Sequence, residues 1–164
     1  MIARRARAED LDEIFRLEVE GFSSPERWSS QSWQAELDAD DRLVLVGQQP
    51  DRLVGVATFQ CIAEDAELLR VVVTADQRGR GIARTLMRAG MEWASAIGAN
   101  RMLLEVRYDN LPALGLYHEF GFAALAQRAD YYGPGRHALV MEAPLRRPRV
   151  RNLQDLDLDE EVLP

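Results

Sequence analysis

Val71-Val72-Val73-Thr74-Ala75-Asp76-Gln77-Arg78-Gly79-Arg80-Gly81-Ile82-Ala83 is the stretch on which the fold turns. Three successive valines read as a buried strand, and the glycine-rich segment after them as a tight turn. From Gly81 the period changes. Ile82, Leu86, Gly90, Trp93, Ala94 and Ile97 share one helix face, and Gly98 is a natural stop. A helix N-terminus offers unpaired N–H groups and the positive end of the helix dipole, which together favour phosphate. Glycines let the backbone approach a ligand closely. Arg78, Arg80 and Arg84 add charge for several phosphate oxygens. The spacing fits neither the dinucleotide-binding glycine fingerprint nor the P-loop, and without a lysine the latter lacks its central residue. On these residues alone, a tight strand–helix turn with solvated arginines is the competing reading.

Working outward toward the N-terminus, Leu68 to Val73 is apolar except for Arg70, as expected of a buried strand. Leu53–Ile62 and Leu43–Val46 read as strands joined by a turn over 48–52, and Ile2–Arg5 as a short first strand. Leu11, Ile14, Phe15, Leu17 and Phe22 predict a helix from Asp10. Ser30 is expected to cap a second helix through Asp38, after a loop over Ser23–Ser30 that holds Pro25 and Trp28. Toward the C-terminus, Met102, Leu104 and Val106 alternate with Leu103, Glu105 and Arg107 on the opposite strand face. Asp109 or Asn110 caps a helix that runs to about Phe120 and stops at Gly121. Phe122–Ala126 and Ala138–Met141 read as closing strands around a Tyr131–Gly135 loop. This order of elements predicts an α/β fold with a mixed sheet.

A chain of 164 residues fits one domain, and 47% hydrophobic with 29% charged residues excludes a disordered chain or a fibre. No apolar run is long enough for a membrane helix, and the charged start argues against a secretory signal. A cytoplasmic protein is the expectation. Cys61 is the single cysteine, and His118 and His137 stand alone, so neither a disulfide nor a metal site is expected. All 20 basic residues are arginine, and the net charge is −7. Five acids, Asp155, Asp157, Asp159, Glu160 and Glu161, fall in the last ten residues, behind a basic run from Arg146 to Arg151. The division expected is a domain over 1–145 and a disordered tail over 146–164, basic and then acidic. Acidity disfavours direct nucleic-acid binding and suits a cationic partner.

Arg78-x-x-Gly81-x-Ala83 after a buried strand resembles the acetyl-CoA pyrophosphate loop of the GNAT superfamily of N-acetyltransferases. Further motifs follow in matching order. These are Leu104-Glu105-Val106-Arg107-x-x-Asn110, Leu116-Tyr117-x-x-x-Gly121-Phe122, Arg128-x-x-Tyr131-Tyr132 and Ala138-Leu139-x-Met141, and they resemble the RimI branch, which acetylates the N-terminal alanine of a ribosomal protein. The resemblance implies a single-domain GNAT fold with a mixed sheet of about seven strands and about four helices. It implies acetyl-CoA as co-substrate, with the backbone of Val71, Val72 and Val73 along the pantetheine arm and Asn110 reaching it. Arg78, Gly79, Arg80, Gly81, Ile82, Ala83 and Arg84 would form the pyrophosphate cradle. Glu105 would be the general base and Tyr117 the general acid. Tyr131, Tyr132 and Trp28 would line the acceptor site, which takes the N-terminal peptide of a basic ribosomal protein, in a monomer or weak dimer.

The chemistry is consistent with that pair. An amine attacks a thioester only as the free base. An α-amine, with an ordinary pKa near ~8 against ~10.4 for lysine, needs no more than one carboxylate to reach that form. The departing thiolate needs a proton, which a tyrosine hydroxyl can give. Taken in isolation, Glu105 is equally a polar strand residue, and Tyr117, three residues from Leu114 and from Phe120, equally helix packing. Two alternatives stay open. One is acetylation of a lysine side chain or small-molecule amine on the same fold. The other is a non-catalytic acyl-CoA-binding module, which would need neither Glu105 nor Tyr117.

Overall fold

Near-continuous apolar runs such as Leu43–Val46 give the central strands two buried faces, and each face carries its own core. The computed structural model describes residues 1–145, so the expected tail over 146–164 lies outside the described residues. The strands are β1 (Ile2–Arg5), β2 (Arg42–Gln48), β3 (Leu53–Ile62), β4 (Asp65–Val73), β5 (Arg101–Arg107), β6 (Ala123–Arg128) and β7 (Ala138–Pro144). They form one seven-stranded sheet in the order β1-β2-β3-β4-β5-β7-β6. All neighbours are antiparallel except β4 and β5, which are parallel. The helices are α1 (Leu11–Gly21), α2 (Ser30–Asp38), α3 (Ile82–Ala96) and α4 (Leu111–Glu119). The mixed α/β architecture is therefore the expected one.

On one face, Ile14 and Leu17 of α1 and Trp33 of α2 pack on Val44, Val46, Val56 and Val72. On the other, Leu86, Met87 and Ala94 of α3 and Tyr117 of α4 pack on Leu45, Phe59, Leu68, Met102 and Leu104. Helix α3 lies so close to the sheet that a Cβ at Gly90 would fall 2.1 Å from the Phe59 ring. Glycine there is a packing requirement.

Three boundaries differ from expectation. Ser29, not Ser30, caps α2, its hydroxyl accepting from the Ser32 N–H at 3.0 Å. Asp65, three residues ahead of the expected start at Leu68, opens β4, where Arg101 of β5 donates to its carboxylate at 2.8 Å. Phe122 stays out of β6. It is buried against Tyr117, with ring centroids 5.8 Å apart, and the strand runs over Ala123–Arg128 instead. No helix among the described residues is long and apolar enough to cross a membrane.

Candidate active site

The site is a break in the sheet. Parallel pairing of β4 with β5 ends at Leu68↔Leu104. Beyond it, β4 follows β3 as far as Gly55↔Val73, while β5 follows β7 as far as Arg107↔Ala138. A bulge marks the parting: Phe59 pairs with Leu68 and Thr58 with Arg70, so Leu69 is skipped. An extra residue of this kind bends a strand. The result is a slot through the sheet, continuous with a cleft of about 580 Å³. Gly21 and Phe22 at the end of α1 line the cleft from one face, and Pro112, Leu116 and Tyr117 of α4 line it from the other.

The β4 wall of the slot presents bare backbone. Thr74 N–H donates to the Val54 carbonyl at 3.0 Å. Antiparallel bonding alternates along a strand, so Val72 also bonds toward β3, while the N–H and C=O groups of Val71 and Val73 point into the slot. In agreement, the Arg78 Nε reaches the Val73 carbonyl at 3.2 Å. Above this wall, Gly79 and Gly81 adopt left-handed φ of 74° and 80°, conformations that favour glycine. A Cβ at Gly79 would meet nothing within 4 Å, so the space over the loop is open to a ligand. The first bond of α3 runs from Thr85 N–H to the Gly81 carbonyl at 3.0 Å, leaving the N–H groups of Ile82, Ala83 and Arg84 without intrahelical partners. Arg84 is held by Glu119 at 2.7 Å, while Arg80 is exposed and outside the cleft lining. Asn110 caps α4, its side-chain oxygen accepting from Ala113 N–H at 3.3 Å, and it too lines the cleft.

Tyr117 is buried, and that burial, followed by the influence of Tyr132, pushes its phenol up to about 12. Glu105 lies outside the cleft lining, on the sheet face that β5 shares with α1, just past the last β4–β5 pair. Its Oε1 accepts from the Arg128 guanidinium, which stacks over Tyr131 with 4.3 Å to the ring centroid. Tyr131 and Tyr132 meet edge to face at 4.9 Å. Burial, and then the charge of Glu105, raise the Tyr132 phenol. Tyr132 thus raises the Tyr117 phenol and is itself raised by Glu105. Trp28 stands apart from the cleft lining, its ring centroid 5.2 Å from that of Trp33. Among the described residues no group of His, Cys, Asp and Glu is arranged to hold a metal.

Residues 8–122 match the acetyltransferase (GNAT) family. The chain belongs to the GNAT family of acetyltransferases. A Bacillus subtilis protein provisionally named as a ribosomal protein bS18-alanine N-acetyltransferase is 33% identical over 140 residues, covering 84% of this chain and 91% of the relative. The crystal structure of the ribosomal-protein-S18-alanine N-acetyltransferase from Escherichia coli superposes with a TM-score of 0.81 at 21% identity, over 92% of this chain and 97% of that one. An aminoglycoside 6'-N-acetyltransferase complexed with coenzyme A shares the fold with a TM-score of 0.77 at 15% identity, over 91% and 99% of the two chains.

This GNAT-family enzyme also builds its site from residues that the motifs pass over. Glu18, fully buried on α1, accepts from Trp28 N–H at 2.8 Å, from Trp33 Nε1 at 3.2 Å and from the Arg70 guanidinium. Arg70 also donates to the Glu26 carbonyl at 2.6 Å and lies 3.5 Å over the Phe22 ring. This hub fixes the loop between α1 and α2 against β4. The Glu26 carboxylate also faces Arg136 at 3.4 Å and Arg107 at 3.7 Å, which ties that loop to the β6–β7 loop and to β5. Glu67, half-buried on the face of Glu105, is raised by burial and by that neighbouring charge. The sequence signal for the hub is a pair of lone charges on apolar stripes: Glu18 beside Ile14 and Leu17, and Arg70 within Leu68–Val73.

Proposed function

We propose that this enzyme acetylates the N-terminal α-amine of an alanine-initiated protein chain, with acetyl-CoA as donor and a basic ribosomal protein as acceptor. The observation that carries the reading is the slot between β4 and β5. It joins a phosphate-type helix N-terminus to a buried tyrosine on one face, and Glu105 lies on the opposite sheet face just past the last β4–β5 pair. The names borne by the Bacillus subtilis and Escherichia coli relatives support the acceptor class. Coenzyme A bound to a protein of the same fold supports the donor.

The residues present suit acetyl-CoA. Gly79 to Arg84 offer N–H groups and arginines to the pyrophosphate, with open space where side chains would intrude. Val71 and Val73 offer an unpaired strand edge to the pantetheine amides, and Asn110 adds a side-chain amide. When bound, acetyl-CoA supplies an acetyl thioester. Glu105 takes a proton from the acceptor ammonium, and the freed lone pair forms the C–N bond as the C–S bond breaks. Tyr117 gives its proton to the departing sulfur, the new amide nitrogen sheds its second proton to solvent, and Tyr117 regains one from there, so the proton taken by Glu105 is the one released overall. A phenol near 12 stays protonated at neutral pH, so Tyr117 enters the reaction with its proton in place. No enzyme nucleophile is needed. Cys61 lies on β3, and burial raises its thiol, which is the wrong direction for a nucleophile.

A mass-spectrometric screen of N-terminal peptides with acetyl-CoA tests the reading. Acetyl groups are expected on the first nitrogen of alanine-initiated basic peptides. Modification confined to small amines would overturn it.

A further inference from the structure

Arg128 belongs to the Arg128-x-x-Tyr131-Tyr132 motif, yet the chemistry described so far gives it no task. It ends β6, opposite Ala138 of β7, and Ala138 in turn lies opposite Arg107 of β5. The next row on the same face holds Ala126, Val140 and Glu105. Arg128 and Glu105 are therefore diagonal neighbours two strands apart, with the small, fully buried Ala138 between them. That gap lets the Arg128 side chain lie along the sheet and place Nη1 on Glu105 Oε1. The guanidinium is the outer partner, 51% exposed against 26% for the carboxylate. An amine entering from solvent meets it first.

An ion pair this exposed contributes little to stability. A guanidinium does not give up its proton, so Arg128 is neither acid nor base. It contributes a fixed positive charge. The acceptor α-amine arrives largely as an ammonium at neutral pH and must reach the same carboxylate. It takes the place of the guanidinium on Oε1, while the stacking on Tyr131 keeps the displaced guanidinium close by. A positive charge within a few ångströms favours loss of a proton from an ammonium.

We propose that Arg128 is a positioning residue: it holds the Glu105 carboxylate at the mouth of the acceptor groove, yields it to the incoming ammonium, and by its charge drives that ammonium to release its proton. This inference rests on the reading of Glu105 as the base. The other charged and titratable groups facing the pair are Glu67 on β4, Arg107 on β5, Tyr131 and Tyr132 of the β6–β7 loop, and Glu26 and Arg70 beyond Tyr132.

The test measures kcat and acceptor KM at pH 7 and pH 9 for the full chain, with an alanine-initiated peptide and saturating acetyl-CoA. Arg128→Ala and Arg128→Gln are expected to lose about tenfold in kcat at pH 7, the effect of roughly one unit in the amine. At pH 9, where the amine deprotonates unaided, they should recover to within about threefold of the wild type, without a rise in KM. Arg128→Lys keeps the charge and should stay within about threefold at both pH values. No loss at pH 7, equal losses at both pH values, a change in KM alone, or Arg128→Lys as slow as Arg128→Ala would each overturn the proposal. Glu105→Gln, measured alongside, keeps the two readings separate. A wild-type rate in that variant removes the base itself. A slow Glu105→Gln beside pH-independent Arg128 variants removes only the role of Arg128.

Discussion

Tyr117 and Phe122 bury each other beneath α4, so one aromatic contact both closes the core and sets the tyrosine at the slot. Tyr117→Phe removes a hydroxyl and little volume. Acetyl-CoA binding is expected to survive while kcat falls by ~10²–10⁴, the range of a general-acid contribution; single-turnover kinetics check it, and near-normal chemistry would make Tyr117 a packing residue. The raised phenol has its own signature. It remains protonated until the pH approaches about 12, so the wild-type kcat should show no fall near pH 10, where an ordinary tyrosine ionises. A second residue-scale expectation concerns the Glu18–Arg70 pair. Glu18 is fully buried, and Arg70→Met would leave its charge uncompensated, at a cost of about 3–5 kcal/mol by urea unfolding. In a chain that still folds, loosening of the Glu26 loop should raise acceptor KM more than it weakens acetyl-CoA binding.

Helix α3 is set into the sheet at Gly90, beneath the Phe59 ring. Alanine in an exposed helix would gain about 1 kcal/mol over glycine, but here the added methyl overlaps the ring, and overpacking costs typically 1–3 kcal/mol. Gly90→Ala is expected to be net destabilising in thermal unfolding, and a second change, Phe59→Leu, should recover part of the loss. A stabilised Gly90→Ala would show that the helix can lift freely. The same helix shows what the sequence makes legible. The 3.6-residue period from Ile82 to Ile97, the glycines before it and Gly98 after it are local signals, and they place α3 to within a residue or two. The strand over Ile2–Arg5 is equally plain from alternation, and the one over Leu53–Ile62 from the turn over 48–52 that precedes it. Hidden from local reading were features made by partners distant in sequence. The parting of β4 from β5 depends on a bulge against β3. The Glu105–Arg128 pair spans β7, and the Glu26 bridges join loops that are 110 positions apart at Arg136. Motif spacing named the residues at the slot, but not that Val71 and Val73 face it while Val72 bonds toward β3.

At the scale of the whole molecule, the two halves of the sheet part along one line, and the cleft with the Gly79–Arg84 segment lies along that parting. A ligand that spans the cleft should therefore stabilise the entire domain. Acetyl-CoA at about 100 times its Kd should add ~2.7 kcal/mol, a rise in Tm of roughly 5–10 °C for a chain of this length. Dephosphorylated pantetheine lacks the pyrophosphate that the Gly79–Arg84 loop is proposed to hold, and should give far less; equal shifts would remove that assignment. The net charge of −7 bears on the acceptor, because opposite charge speeds encounter. Raised salt should accordingly increase the KM of an arginine-rich peptide more than it lowers kcat. Beyond encounter, a site with one carboxylate base discriminates by amine basicity, since lysine and an α-amine differ by about 2.5 units, or ~3.4 kcal/mol in the cost of deprotonation. The most direct measurement compares two forms of one arginine-rich, alanine-initiated peptide with an internal lysine, one with its N-terminus free and the other with it blocked. Acetylation of the free peptide is expected at its first nitrogen, with a rate at least ~100-fold lower for the blocked one. Comparable rates on the two peptides would contradict N-terminal acetylation and point to the lysine side chain.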